Sequence, residues 1–280
     1  LYNIASVSKP ISAVVAMRLV ELGKLDLDRP MNGFAGFREF CLEARGEGGI
    51  FFGDYDCESP GLTLRRVMSM RSNGVPGSHF LYNPPAYSWT SRPMAEVAGA
   101  AFSSLVAQYV FAPAGMSRSA RINRRLPLRP ELAADLATPY HVDSLGRWAE
   151  SPPPPPQGDG AAGGVISNVL DLARFDIALD QGKLLRPESR KEMWTPSRGA
   201  ADTVFPYGLG WFVRTVNGQQ LIWHTGLWEG AYSALYMKVP ERGVSLILLA
   251  NSDGLQYPTA LTAASIENSP FAMMFLQSLK

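Results

Sequence analysis

The first twenty-two residues, LYNIASVSKPISAVVAMRLVEL, constrain this chain more than any other stretch. Ile11, Val14, Val15, Leu19 and Leu22 recur at helical spacing, with Ala13, Ala16 and Met17 between them. A helix that is apolar on nearly every side is buried on most of its surface, so the rest of the chain has to pack around it. Pro10 lacks an N–H and fits only in the first turn, so the spacing predicts a helix beginning near Ser6. A hydroxyl placed there meets outward-pointing backbone N–H groups and a helix dipole that favours developing negative charge. Lys9 follows one turn later, within reach of Ser6. A serine with a neighbouring amine is one form of an activated nucleophile. A capped helix carrying a lysine looks the same in sequence, so the pair needs support from elsewhere in the chain.

Beyond Gly23, GKLDLDRP (23–30) reads as a turn with alternating leucines, and residues 31–61 read as irregular. Thr63 is expected to cap the short amphipathic helix LRRVMSMR, which SNGVPG (72–77) stops. SHFLYNPPAYSW (78–89) contains two adjacent prolines and reads as a loop. Helices are expected from Arg92 to Gly99 and from Phe102 to Phe111. Residues 117–160 are rich in arginine, proline and glycine, and Pro152 to Pro156 should be extended polyproline that spaces a long surface loop. Ser167 then precedes NVLDLARFDIALDQG as its cap, with Gly182 as the stop, and a short helix follows from Pro187 to Trp194.

The pattern changes near Tyr207. YGLGWFVRTV, QQLIWHTG, AYSALYMKV and VSLILLANS read as four successive strands. Asn217-Gly218 is a two-residue hairpin signal, and Pro240 to Gly243 is a second turn. Pro258 to Lys280 reads as one or two helices broken at Asn268-Ser269-Pro270. Helices first and antiparallel strands afterwards argue an α+β fold, an antiparallel sheet covered by the N- and C-terminal helices with a mainly helical region inserted. Residues 1–22 and 203–280 would form the sheet-and-helix region and residues 23–202 the helical and loop region, as one continuous catalytic unit.

Composition excludes several classes. The formal net charge of +1 gives no reason to expect a nucleic-acid partner, and no apolar run reaches membrane-spanning length. Cys41 and Cys57 read as free thiols, too few for a disulfide framework or a four-ligand zinc site. His79, His141 and His224 lack the HExxH spacing of a zinc protease. No metal or organic cofactor is expected. The chain begins at Leu1 without a signal segment, which decides nothing about its compartment, and oligomeric state is not readable.

Two further stretches can carry chemistry. In WHTGLWEG (223–230), His224 can hold a proton, Thr225 offers a hydroxyl and Gly226 permits close approach of a ligand or another backbone. In FLYNPP, Tyr82 sits on a proline-bounded segment that can present its phenol as a proton shuttle. Each also has a plain reading, a turn with a surface histidine and a packed tyrosine.

Taken in order, these stretches resemble the serine penicillin-recognising hydrolases, specifically the class C β-lactamase-like group of DD-peptidases, D-amino-acid amidases and β-lactamase-like esterases. IASVSKP with VELGKLDLD, LTLRRVMSMRSNGVPG, FLYNPPAY through VAGAAFSSLVAQYVFAPAGM, AAGGVISNVLDLARF, and HTGLWEGAYSALYMKVPERG through LLANSDG look like five successive family segments. The resemblance implies Ser6 as nucleophile, Lys9 as the group that takes its proton, and Tyr82 as the relay to the leaving group, with Tyr87 the alternative tyrosine. His224, Thr225 and Gly226 would take the place of the family's Lys-Thr-Gly, and the backbone N–H groups of Ser6 and Leu227 would form the oxyanion hole. Thr225, Gly226, Asn83 and Tyr87 would contact substrate. Two departures bear on specificity. Pro84 stands where the family has a substrate-binding asparagine, and His224 stands where it has a lysine. An unperturbed histidine is mostly neutral at pH 7, so a substrate carboxylate should be bound less well there. The expected function is therefore hydrolysis of an ester, amide or β-lactam of a small-molecule or peptide substrate through an acyl-Ser6 intermediate, leaning to esters. β-Lactamase or D-Ala carboxypeptidase/DD-peptidase activity at the same serine is the alternative, and a non-catalytic binding protein on this fold is a further one. The family's strands ahead of the nucleophile helix have no counterpart in this sequence, which implies an uncovered sheet edge or face. The resemblance leans to a periplasmic or secreted protein.

Overall fold

In the computed structural model, which describes residues 1–45, 53–256 and 264–279, the opening apolar stretch is a 3-10 turn over Ala5–Val7 running into helix α1, Ser8–Glu21. Eleven of the fourteen residues of α1 are buried, Lys9 among them. Pro10 falls in its first turn. The other helices are α2 (Phe37–Arg45), α3 (Leu64–Met68), α4 (Pro84–Trp89), α5 (Ser91–Ala98), α6 (Phe102–Val106), the one-turn α7 (Ala112–Ala114) and α8 (Pro130–Ala133), α9 (Val169–Asp180), α10 (Pro187–Met193) and α11 (Pro270–Ser278). Thr63 caps α3 by accepting from the Arg66 N–H.

The strands are β1 (Tyr2–Asn3), β2 (Ala120–Arg121), β3 (Tyr140–Val142), β4 (Trp148–Glu150), β5 (Val165–Ser167), β6 (Phe212–Val216), β7 (Gln219–Trp228), β8 (Tyr232–Val239) and β9 (Val244–Ala250). They form an antiparallel meander β6-β7-β8-β9, a small antiparallel sheet in the order β1-β5-β2, and the hairpin β3-β4. Asn217 and Gly218 both hold positive φ, 49° and 77°, as a tight two-residue hairpin requires. All eight residues of β8 are buried, whereas all seven of β9, at the sheet edge, are partly exposed.

The expected α+β architecture is present, with differences that have local causes. SHFLYNPPAYSW is not all loop. Pro84 and Pro85 occupy the first turn of α4, where a missing N–H costs nothing, and Asn83 caps it by accepting from the Ala86 N–H at 3.1 Å. The YGLGW segment precedes the strand instead of starting it. A Cβ on Gly208 would collide with the Met193 carbonyl, and Gly210 holds φ +76° with a Cβ position 2.9 Å from the Lys9 carbonyl oxygen, so this is a tightly packed loop and β6 begins at Phe212. Asn168, not Ser167, caps α9; Ser167 still belongs to β5. Residues 31–61 include α2, and residues 117–160 include β2, α8 and the β3-β4 hairpin, whose strands are too short to show a period. The break at Asn268-Ser269-Pro270 is real, with Ser269 capping α11, while 257–263 of the expected C-terminal helical stretch lie outside the described residues.

Cover for the meander is shared more widely than expected. α1 contacts β7, and α9 lies against β9. The Tyr236 hydroxyl donates to Asp176, and the buried Lys238 amine donates to Asp176 at 2.8 Å and Asp180 at 2.6 Å, tying β8 to α9. Phe271, Phe275 and Leu276 of α11 pack against the same core. The cysteines also correct the sequence reading: Cys41 of α2 and Cys57 are bonded to each other, with Cα atoms 5.7 Å apart. They stand sixteen positions apart in sequence, and only the fold of α2 against the later segment brings them together.

Candidate active site

The turn that carries Ser6 is held from three sides. Asn3, buried, accepts from the Ala5 N–H at 2.9 Å, and Val7 N–H donates to the Ile4 carbonyl at 3.0 Å. Ala5 holds φ +45°, a left-handed conformation that a residue with a Cβ adopts only when its surroundings enforce it. From across the chain, the Ile4 N–H donates to the Val165 carbonyl at 3.1 Å and the Ser12 hydroxyl to the Ala161 carbonyl at 2.6 Å. The small sheet thus sets the Ser6 turn in place, and Ser6 remains partly exposed.

Lys9 is wholly buried, with its Nζ 2.7 Å from Ser6 Oγ. It also donates to the Ala162 carbonyl at 3.1 Å, and no carboxylate pairs with it among the described residues. Burial therefore pulls its pKa well below the ordinary lysine range. The neutral amine has a lone pair for the Ser6 proton, and the Ala162 carbonyl fixes its rotation. Tyr82 is in hydrogen-bonding contact with Ser6, its ring centre 5.1 Å from Lys9 Nζ. Burial pushes the Tyr82 phenol up, with the Ser6 contact opposing, so it stays protonated and able to donate. Ser6, Lys9 and Tyr82 thus meet as the sequence pattern requires.

The two tyrosines are separated by what they touch. Tyr87 is fully buried and its hydroxyl donates to the Lys9 carbonyl at 3.1 Å, beneath α1. It braces α1 from below and is not among the residues lining the Ser6 cleft. Asn83 also departs from its expected place. Its side chain caps α4, donates to the Tyr55 hydroxyl and to Asn73 Oδ1 at 3.0 Å, and is fully buried. With Pro84 at the cleft, no asparagine side chain from this segment is available to a substrate amide.

On the sheet side, β6 pairs with β7 only as far as Phe212 opposite Trp223. Residues 224–228 consequently lack a strand neighbour on that edge, and the Ala5–Val7 turn packs against this stretch of β7. Gly226 is the contact point. A Cβ there would sit on the Ile4 carbonyl oxygen and 3.3 Å from Ala234 Cβ. Thr225 is nearly buried, and Leu227, 37% exposed, forms the lip of the cleft.

His224 lies behind the lip. Its ring is fully buried, Nδ1–H donates to the Thr225 carbonyl at 2.7 Å, and Nε2 accepts from the Tyr207 hydroxyl at 2.9 Å. A carbonyl can only accept, which assigns the tautomer. Burial, reinforced by Lys9 and opposed by the Thr225 carbonyl, lowers its pKa well below the usual histidine value. Both ring nitrogens are hydrogen-bonded, and the buried ring lies neutral behind the lip of the cleft. Sequence reasoning missed Tyr207, although the glycines after it signal a packed turn that could hold a side chain fixed. Tyr207→Phe leaves Nε2 buried without a donor, at a cost of about 1–3 kcal/mol. Thermal melting should show a drop of a few degrees, and an unchanged melting temperature would show that the bond contributes nothing.

The cleft at Ser6 has a volume of about 500 Å³ and is walled by Pro84, Pro85 and Ser88, by the Gln157–Gly164 segment, and by Leu227 and Trp228. Among the described residues no cluster of His, Cys, Asp and Glu could hold a metal ion, and no single helix is long and apolar enough to cross a membrane.

Known proteins share the sequence pattern and the fold. Penicillin-binding protein 4* of Bacillus subtilis is 26% identical over 95% of this chain and 64% of its own length. The chain spans less than two thirds of the length of the curated relatives it matches. Among solved structures, the octameric penicillin-binding protein homologue from Pyrococcus abyssi superposes with a TM-score of 0.75 at 22% identity, over 99% of this chain and 66% of that one. The D-amino acid amidase from Ochrobactrum anthropi SV3 gives a TM-score of 0.68 at 20% identity, over 99% of this chain and 84% of the amidase. The family described as Beta-lactamase matches residues 1–267, and the chain belongs to this family of β-lactamase-like, penicillin-binding-protein-like serine hydrolases.

Proposed function

We propose that this chain is a serine acyl hydrolase that turns over carboxylic esters through an acyl-Ser6 intermediate. The observation that carries the reading is the buried Lys9 amine 2.7 Å from Ser6 Oγ, with its pKa pulled down by burial. The neutral Lys9 takes the Ser6 proton as Oγ attacks the substrate carbonyl. The tetrahedral oxyanion is received by the backbone N–H groups of Ser6 and Leu227, at the strained turn and the lip of β7. Tyr82, whose raised pKa keeps it protonated, donates to the leaving alkoxide and takes a proton back from the Lys9 ammonium, which leaves Lys9 neutral again. Water then adds to the acyl-enzyme with the neutral Lys9 taking its proton, and Lys9 returns that proton to Ser6 Oγ as the acyl group departs as the acid.

Esters are favoured over β-lactams and D-Ala peptides for two reasons. His224 is neutral, so the β7 wall offers no fixed positive charge to the carboxylate those substrates carry. Asn83 is engaged in capping α4 and Pro84 cannot hydrogen-bond an amide side chain. The fold neighbours that are named as a penicillin-binding protein homologue and an amidase keep an amide or lactam substrate as the second reading.

Ser6→Ala should abolish hydrolysis of p-nitrophenyl acetate, and full residual turnover would reject the assignment. Wild-type turnover of that ester beside nitrocefin and a D-Ala-D-Ala peptide decides the substrate class. An enzyme that neither hydrolyses any of the three nor labels with a fluorophosphonate at Ser6 is a binding protein.

A further inference from the structure

We infer that Arg124 makes this cleft selective for anionic substrates, a refinement that rests on the hydrolase reading above. Arg124 is the one charged side chain lining the Ser6 cleft among the described residues. It follows β2, and two contacts hold its base: its N–H donates to the Gln157 carbonyl at 2.8 Å and its Nε to the Pro156 carbonyl at 3.2 Å. These bonds pin the end of the polyproline run to the cleft wall, so the run acts as a support for this arginine as well as a spacer. The Nε contact fixes the plane of the guanidinium, and the two terminal nitrogens have no partner among the described residues. A guanidinium held in this way presents paired N–H donors that match a carboxylate.

The charge balance of the cleft points the same way. On the β7 wall, the side chain at the family's cationic position is a buried neutral histidine. Lys9, the other base nearby, is neutral and spent on Ser6 and Ala162. No carboxylate lines the cleft among the described residues to neutralise Arg124. A substrate anion is therefore recognised from the wall formed by the loop after β2 and not from the strand, and the favoured class is an ester that carries a carboxylate away from the reacting carbonyl.

The test uses the whole chain with two pairs of esters. Mono-4-nitrophenyl glutarate against 4-nitrophenyl butyrate puts the charge on the acyl side, and 3-acetoxybenzoate against phenyl acetate puts it on the leaving group. The readout is the ratio of kcat/KM for the charged to the neutral member, which cancels any loss of folded enzyme. In one of the pairs this ratio should fall about tenfold in Arg124→Gln, fall less in Arg124→Lys, which keeps the charge and loses the paired donors, and shrink in the wild type as salt is raised. The pair that responds identifies the side of the substrate that meets Arg124. Equal ratios for wild type and Arg124→Gln in both pairs, with the neutral esters still hydrolysed in a Ser6-dependent way, overturn this inference and leave the hydrolase reading intact. Absence of turnover of all four esters by the wild type overturns the reading beneath it and this inference together.

Discussion

Replacing Lys9 with methionine should lower ester turnover by about a thousandfold or more while the fold survives. The side chain is wholly enclosed, and methionine has nearly the same length with no polar group to strand. What disappears is the base 2.7 Å from Ser6 Oγ, and no other group can replace it. Tyr82 is held protonated by burial, Tyr87 is bound to the Lys9 carbonyl, and both nitrogens of His224 are occupied. The pH profile gives an independent check. Lys9 must be neutral to act, and its pKa lies well below the ordinary lysine value, so wild-type acylation should rise with pH through a titration far below pH 10.5. Lys9→Met should lose that rise. Residual activity within tenfold of wild type, or an unchanged profile, would remove Lys9 from the mechanism. Burial also ties the group to stability: the unfolded chain holds the Lys9 proton over the pH range between the lowered folded pKa and 10.5, so the protein loses stability as pH falls through that range.

The second large effect is expected from a single methyl group. In Gly226→Ala the new Cβ falls on the Ile4 carbonyl, which belongs to the backbone leading into the Ala5–Val7 turn and has no freedom to rotate away. Either β7 or that turn must move by a substantial fraction of an ångström. Overpacking of this kind costs about 1–3 kcal/mol, and misplacement of about 1 Å at a reacting centre costs about a hundredfold in rate. Kinetics and thermal melting on the same sample should show a loss in kcat/KM out of proportion to the loss of stability. A variant with wild-type kcat/KM would mean that the distance between β7 and the Ser6 turn does not matter for catalysis.

The parts of the site that lie close together in sequence were readable from it. Ser6 and Lys9 are one helical turn apart, and Pro10 dates the start of that helix, so their contact follows from local geometry. Asn217-Gly218 announces its hairpin for the same reason. What the sequence concealed depends on contacts between distant residues. Asn83 looks like a candidate for substrate binding beside Tyr82, and only the packing of Tyr55 and Asn73 against it shows that it faces inward. His224 looks like a titrating group until Tyr207 is found against its Nε2. The cysteines look free until α2 folds back on residue 57. Pro84-Pro85 misleads in another way, because two prolines break a helix interior but are tolerated in its first turn, and nothing local states which of the two applies.

The bonds from Ile4 to Val165, Ser12 to Ala161 and Lys9 to Ala162, and the approach of Ile4 to Gly226, join the first residues to partners made very much later. Within this stretch Ser6 comes first, and the distant partners that set its turn are translated 149 residues or more after the groups they hold. A nascent chain halted before residue 161 carries the serine and its lysine without the partners at 161–165 that hold them. The arrangement proposed for catalysis therefore exists only once β5 and β7 have both been made.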